Sequence, residues 1–112
     1  MQSEPQKITV QEITAQQLKM LLDSTEPPFV LDVREAFELP QQGVIPNSTH
    51  IPMGTVPGRL SELPRDRAIV TQCSHGYRSY DVAGYLTIHG FKDVKSLSGG
   101  IVAWNRLLRS GK

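Results

Sequence analysis

Short apolar runs alternate along this chain with segments of helical periodicity. The runs 29–33 and 68–72 consist almost entirely of apolar and β-type residues, which is typical of strands buried on both faces, and a third, more polar run at 94–97 also predicts a strand. Amphipathic helical patterns follow the last two runs, over 79–89 and from Gly99-Gly100 onward. An alternation of this kind predicts an α/β fold, in which a small parallel sheet is flanked by helices on both faces.

Weaker signals predict the remaining elements. Thr14 and Gln17 have the spacing of a capping box, so a helix is expected directly after an edge strand over 8–13. Pro40 and Pro64 are expected to end short helical segments over 35–39 and 59–63, because proline lacks a backbone donor. A brief further strand is predicted over 49–51. The positions expected to face the core from the last two helices are Val82, Ala83, Leu86, Ile101, Trp104, Leu107 and Leu108.

The composition is that of one small domain. At 112 residues the chain can enclose one core, and 38% apolar with 21% charged residues is ordinary globular usage. We expect a monomeric domain over 8–108, a flexible segment over 1–7 and a tail over 109–112. The net charge of +1, without basic or long apolar runs, argues against nucleic-acid or membrane partners. The polar start is unlike a signal peptide, which favours the cytoplasm.

The only cysteine, Cys73, stands where the run 68–72 ends and a helix is about to begin. In parallel α/β sheets ligands bind at the carboxyl ends of strands, and helix N-termini attract anions. Such a setting lowers a cysteine pKa into roughly the 3.5–7.5 range and yields a nucleophilic thiolate. Gly76 permits a tight turn, Arg78 adds a cation, and Ser79 is expected to cap the helix. Taken alone, the cysteine could equally be a small buried hydrophobic residue.

Four segments together resemble the rhodanese-like sulfurtransferase family. Their order and spacing match that family from about Ile8 to Leu108, which is nearly the whole chain. The resemblance implies the rhodanese-like version of the α/β fold. The segments are Val-Leu-Asp-Val-Arg-Glu at 30–35, a stretch over 43–52 that ends in His-Ile-Pro, Cys-Ser-His-Gly-Tyr-Arg-Ser at 73–79, and Leu-Ser-Gly-Gly-Ile-Val-Ala-Trp at 97–104.

In that family a cysteine thiolate takes the outer sulfur of a donor as a persulfide and passes it to cyanide, a thiol or a partner sulfur-transfer protein. The resemblance implies that Cys73 is the nucleophile and that Arg78 supplies charge or holds the loop. It further implies that Asp32 and Arg34 support the site from the neighbouring strand, and that no cofactor is needed. Without the family pattern, Arg34 would be a surface charge and Asp32 a cap of the turn at Glu35. The loop residues whose backbone amides would stabilise the persulfide are Ser74, His75, Gly76, Tyr77 and Arg78.

The three histidines do not have metal-ligand spacing with Cys73, so no metal is expected. His75 is expected at the rim of the loop, because side chains of such a loop point outward. His50 is expected to be structural, and His89 to lie at a helix end, where its interaction with the dipole is favourable. Trp104 is expected to anchor the last helix in the core.

The choice of sulfur donor is open at this stage. Members of the family that use thiosulfate well tend to carry cations at the positions held here by Ser74, His75 and Glu38. A less positive pocket mouth attracts a small dianion less strongly. We therefore expect thiosulfate to be a poorer donor than a low-molecular-weight or protein persulfide.

Other functional classes use similar residues. Protein tyrosine phosphatases and some arsenate reductases also place a cysteine in an arginine-closed loop, but with one residue more than the four between Cys73 and Arg78. No general-acid aspartate on a separate loop is evident. A sulfur relay or a non-catalytic interaction module fits the same sequence, because a fold alone does not assign function. Redox sensing would require an exposed thiol and an intermolecular disulfide.

Overall fold

A computed structural model describes residues 9–110; the predicted segment 1–7 and the last two residues of the predicted tail lie outside them. The strands within this range are β1 (Gln11–Ile13), β2 (Phe29–Asp32), β3 (Thr49–His50), β4 (Ile69–Gln72) and β5 (Val94–Leu97). The helices are α1 (Ala15–Leu22), α2 (Glu38–Gln42), α3 (Tyr77–Ile88) and α4 (Gly100–Arg109), with a 3₁₀ segment at Met53–Glu62. All strand pairs are parallel, and the order across the sheet is β1-β5-β4-β2-β3.

The predicted α/β architecture is confirmed. β4 is the central strand, as expected of the run 68–72, and it pairs with β2 on one side and β5 on the other. Since the strands are parallel, their carboxyl ends lie along one edge of the sheet, where Asp32 stands opposite Gln72. β1 lies at the sheet edge as predicted, although it begins at Gln11, and Ile8 lies outside the described residues.

The sheet separates two hydrophobic cores. α3 and the 3₁₀ segment cover one face, while α1 and α4 pack together over the other. The first core includes Leu31, Val33, Ile51, Val56, Ile69, Val82, Ala83, Leu86 and Phe91. The second includes Ile13, Leu18, Val30, Ile45, Val70, Leu97, Ile101 and Trp104, with Leu107 packed against it. Of the core positions predicted for α3 and α4, only Leu108 is wrong: it is 49% exposed, because it lines an open cleft beside Leu22.

Two predicted helical segments have wrong boundaries. The turn expected over 35–39 is instead a helix that begins at Glu38 and contains Pro40. Proline is tolerated there because the backbone N–H groups of a first turn have no helical partner to lose. The segment expected over 59–63 belongs to a 3₁₀ stretch that begins at Met53. A 3₁₀ stretch lacks the 3.6-residue period on which the prediction rested.

The helices are short, and α1 begins as predicted. The backbone N–H of Gln17 donates to Thr14 Oγ1 at 3.1 Å, and that of Thr14 donates to Gln17 Oε1 at 3.0 Å, so the capping box is confirmed. Two otherwise unpaired donors are thereby satisfied.

No helix within residues 9–110 combines the length and the apolar character that crossing a bilayer requires.

Candidate active site

Cys73 lies directly after β4, where residues 74–76 lead into α3. Its Sγ atom accepts hydrogen bonds from the backbone N–H of Gly76 at 3.2 Å and from that of Ser79 at 3.3 Å. The sulfur therefore sits at a helix N-terminus, where amides and the helix dipole stabilise negative charge. The family resemblance implies an amide cradle over 74–78; of those amides that of Gly76 donates to Sγ, and the other donor, Ser79, lies one residue beyond that range.

Ser79 does not cap α3, contrary to the prediction. The N-cap is Gly76, whose φ of +103° is left-handed, and no side chain caps the helix there. Because glycine adopts this conformation without a Cβ clash, α3 begins at Tyr77 and Ser79 falls within its first turn. A helical pattern read from apolar positions alone could not show this earlier start.

The Ser79 hydroxyl instead lies beside the sulfur. Cys73 Sγ is 3.5 Å from Ser79 Oγ, which is in turn 2.7 Å from Ser96 Oγ on β5. Ser79 and Ser96 are both completely buried. Sequence reasoning missed Ser96; the available signal was a small hydroxyl residue within the strand predicted over 94–97.

Asp32 and Arg34 form a buried ion pair at the end of β2. Arg34 Nη2 donates to Asp32 Oδ2 at 2.6 Å and Nε to Oδ1 at 2.9 Å, and both residues are fully buried. Arg34 Nη2 also donates to the carbonyl oxygen of Gly43 at 2.9 Å. The alternative that Arg34 is a surface charge is therefore wrong. Since Asp32 stands opposite Gln72, the pair lies beside the strand end that carries Cys73.

Arg78 points to Glu38 on α2. Its Nη1 donates to Glu38 Oε2 at 2.7 Å and its Nη2 to Oε1 at 2.8 Å. This hydrogen bonding by the guanidinium group lowers the pKa of Glu38 to about 2, and the same contact raises the pKa of Arg78. Arg78 thus links the loop to α2. Its charge is neutralised by Glu38, one of the positions at which members of the family that use thiosulfate well tend to carry a cation.

The first turn of α4 is hydrogen-bonded to the backbone of the loop that begins at Cys73. The backbone N–H of Ile101 donates to the carbonyl oxygen of Cys73 at 2.8 Å, and that of Val102 to the carbonyl oxygen of Ser74 at 3.2 Å. A Cβ on Gly100 would lie within 2.4 Å of both carbonyl oxygens. The absence of a side chain at Gly100 therefore permits backbone-to-backbone contact between α4 and the loop that begins at Cys73.

The remaining loop side chains point away from the sulfur or into neighbouring elements. His75 and Tyr77 are exposed, and Ser74 Oγ lies 3.2 Å from Gln42 Oε1. His50 Nε2 lies 2.6 Å from the carbonyl oxygen of Arg34. Among residues 9–110, no group of three His, Cys, Asp or Glu side chains is arranged to hold a metal ion.

Cys73 is recessed rather than displayed on the surface. It is only 1% exposed, and its Sγ atom contacts buried donors on two sides. The exposed thiol that redox sensing required is therefore absent at Cys73. A buried hydrophobic cysteine, in turn, needs no hydrogen-bond donors directed at its sulfur, whereas Cys73 Sγ has two.

Comparisons with known proteins agree with this geometry. A family model described as the rhodanese-like domain matches residues 14–107. A sulfurtransferase of Allochromatium vinosum is 41% identical over 97 residues, covering 87% of this chain and 90% of the relative. The thiosulfate sulfurtransferase GlpE of Pseudoalteromonas translucida is 35% identical over 92 residues, covering 82% and 86%. The crystal structure of a rhodanese-related protein from Thermoplasma volcanium superposes with a TM-score of 0.78 at 33% identity, covering 87% and 92%. The chain belongs to the rhodanese-like domain family.

Proposed function

We propose that this protein is a sulfurtransferase that carries a sulfane sulfur as a persulfide on Cys73. The observation that carries the proposal is the pair of backbone N–H groups, from Gly76 and Ser79, directed at Cys73 Sγ. A persulfide keeps a negative charge next to the same position, so these donors stabilise both the attacking thiolate and the intermediate. The names of the sulfurtransferase relatives support the same reaction class.

The reaction consists of two displacements at sulfur. In the first, the Cys73 thiolate attacks the outer sulfur of the donor, forming a new S–S bond while the donor's own S–S bond breaks. With thiosulfate the leaving group is sulfite, and with a glutathione persulfide it is the glutathione thiolate. In the second, an acceptor such as cyanide or a thiol attacks the terminal sulfur and releases the Cys73 thiolate. No electrons are gained or lost overall, which is consistent with a site that needs no cofactor.

A persulfide is the donor class that we favour. Glu38 neutralises Arg78, and a small dianion that approaches the loop therefore meets little positive charge. GlpE of Pseudoalteromonas translucida is named for thiosulfate, so thiosulfate remains the reference donor against which a persulfide is compared. Efficient use of thiosulfate, at least equal to that of glutathione persulfide, would contradict this preference.

Phosphatase chemistry fits the site less well. The loop between Cys73 and Arg78 has four residues, and the guanidinium fork that would bind phosphate oxygens is occupied by Glu38. A role as a relay that receives sulfur from one protein and delivers it to another uses the same Cys73 persulfide. The two sulfur-transfer roles differ in the acceptor rather than in the site.

Intact-mass spectrometry tests the proposal. The wild type and Cys73→Ser are incubated with thiosulfate or with glutathione persulfide, and then with cyanide. We expect a mass gain of one sulfur atom in the wild type alone, and its removal by cyanide. Absence of the adduct with both donors, in a protein shown by circular dichroism to be folded, would rule out the proposed function.

A further inference from the structure

The ion pair between Arg78 and Glu38 joins the first turn of α3, directly after the loop that begins at Cys73, to the first residue of α2. Arg78 is the second residue of α3, and its side chain is 34% exposed, whereas that of Glu38 is 14% exposed. The contact is bidentate: one guanidinium Nη atom donates to each of the two carboxylate oxygens. A planar guanidinium fork is the group that best recognises the oxygens of small anions, and here the protein's own carboxylate already fills it.

Glu38 is held in this position from its own side as well. The backbone N–H of Glu35 donates to Glu38 Oε2 at 2.8 Å, in addition to the bond from Arg78. The other arginine near the site, Arg34, is fully buried and paired with Asp32. Arg34 and Arg78 are therefore each paired with a carboxylate, Arg34 Nη1 is buried without a partner, and the donors that contact Cys73 Sγ directly are the backbone amides of Gly76 and Ser79.

We propose that Glu38 is a specificity-determining residue, which neutralises Arg78 and thereby selects donors with a sulfane sulfur on an organic thiol over small inorganic dianions such as thiosulfate. This inference rests on the proposed sulfurtransferase function. The backbone amides of Gly76 and Ser79 contact the position of a single sulfur atom, and every sulfur donor brings one such atom to the site. The three oxygens of thiosulfate need additional positive charge at the loop mouth, and Glu38 competes with them for Arg78.

The test compares rates of Cys73 persulfide formation in single-turnover experiments with thiosulfate and with glutathione persulfide. Glu38→Gln keeps the size and acceptor oxygen of the side chain but removes its charge. Glu62→Gln is the matched control, because Glu62 also makes a bidentate pair, with Nε and Nη2 of Arg59 on the 3₁₀ segment. We expect Glu38→Gln to raise the rate constant with thiosulfate about tenfold, and to change that with glutathione persulfide much less.

Arg78 supplies a second arm of the test. If Glu38 acts through Arg78, the gain with thiosulfate disappears when Glu38→Gln is combined with Arg78→Gln. The single Arg78→Gln variant exposes the unpaired carboxylate of Glu38, so it should use thiosulfate more slowly than the wild type. The gain in Glu38→Gln should also shrink as ionic strength rises, since it is electrostatic.

A binding measurement separates this inference from the proposed function. In the Cys73→Ser background no sulfur is transferred, and calorimetry reports only the affinity for thiosulfate. We expect Cys73→Ser with Glu38→Gln to bind thiosulfate about tenfold more tightly than Cys73→Ser alone. Unchanged or weaker thiosulfate binding overturns the inference, as does an equal loss of rate with both donors. Failure of the wild type to form any persulfide contradicts the proposed function and leaves the binding result to decide the role of Glu38.

Discussion

Asp32 and Arg34 carry opposite charges in a place from which water is excluded. Their side chains meet through two hydrogen bonds, and Arg34 also holds the carbonyl oxygen of Gly43 at the end of α2. A buried ion pair is worth little compared with apolar side chains of the same shape. Removal of one partner is costly, however, because it leaves the other charge buried and uncompensated. The pair therefore makes the end of β2 dependent on both residues.

Asp32→Asn should lower the free energy of unfolding by about 3–5 kcal/mol, because Arg34 would remain charged inside the protein. Urea unfolding at neutral pH measures this change. Asp93→Asn is the control, since Asp93 pairs with Lys95 where both side chains are partly or largely exposed, and should cost less than about 1 kcal/mol. Similar small losses in both variants would show that the buried pair tolerates the loss of one charge.

Glu38 should make stability depend on pH in the acid range. Because Arg78 lowers its pKa from the usual 4.5 to about 2, the folded protein binds this proton less readily than the unfolded chain. The contribution to stability is therefore fully present above pH 4.5 and is lost as the pH falls towards 2. We expect Glu38→Gln to be less stable than the wild type near neutral pH, and the difference to close at low pH. A constant difference in urea midpoints across this range would contradict the assignment.

At the scale of elements, the active-site loop depends on α4 as much as on α3. The N-cap and the first turn of α3 provide the amides that contact the sulfur, while the second and third residues of α4 donate their N–H groups to the carbonyl oxygens of Cys73 and Ser74. The two helices cover opposite faces of the sheet. Each fixes a different side of the same loop backbone, so displacement of either helix moves the donors at Cys73.

Gly100→Ala should displace α4 from the loop. The new Cβ would lie 2.4 Å from the carbonyl oxygens of Cys73 and Ser74, at a φ of +59° that alanine rarely adopts. We expect a loss of more than about 1 kcal/mol in unfolding free energy, together with slower persulfide formation. Gly54→Ala is the control, because a Cβ there meets no atom within 4 Å. Wild-type behaviour of Gly100→Ala in both measurements would show that the close contact is not required.

The features that periodicity and capping patterns could predict are those encoded locally, whereas the place of Asp32 and Arg34 beside Cys73 was predicted from the family resemblance alone. β5 and the capping box at Thr14 follow from neighbouring residues, and both are found where expected. The contact of Glu38 with Arg78 joins residues forty positions apart, and that of Ser79 with Ser96 joins two elements. Such pairs depend on tertiary packing, which periodicity does not report. The early start of α3 has a different cause. It depends on the left-handed backbone conformation of Gly76, which the pattern of apolar residues does not report either.

At the scale of the whole molecule, the three inner strands β2, β4 and β5 each contribute side chains to both cores. Ile69 of β4 packs in the core under α3, and Val70, its neighbour, packs in the core under α1 and α4. β4 also pairs with strands on both of its sides. Neither core can lose its packing without disturbing the strand that supports the other. We therefore expect residues 9–110 to unfold as one cooperative unit, as small single domains usually do.

Two probes on different parts of the molecule test this cooperativity. Trp104, the only tryptophan, lies in the core under α1 and α4, so its fluorescence reports that face, while far-ultraviolet circular dichroism reports all helices.

Leu86→Ala removes a fully buried side chain from the opposite core and should cost about 2–5 kcal/mol. Leu108→Ala, at a half-exposed position, should change stability by only about 0.5 kcal/mol. If the molecule is one unit, Leu86→Ala shifts the urea midpoints of both probes equally, although Trp104 lies across the sheet. A Trp104 transition that stays in place while the circular dichroism transition moves would mean that the two cores unfold separately.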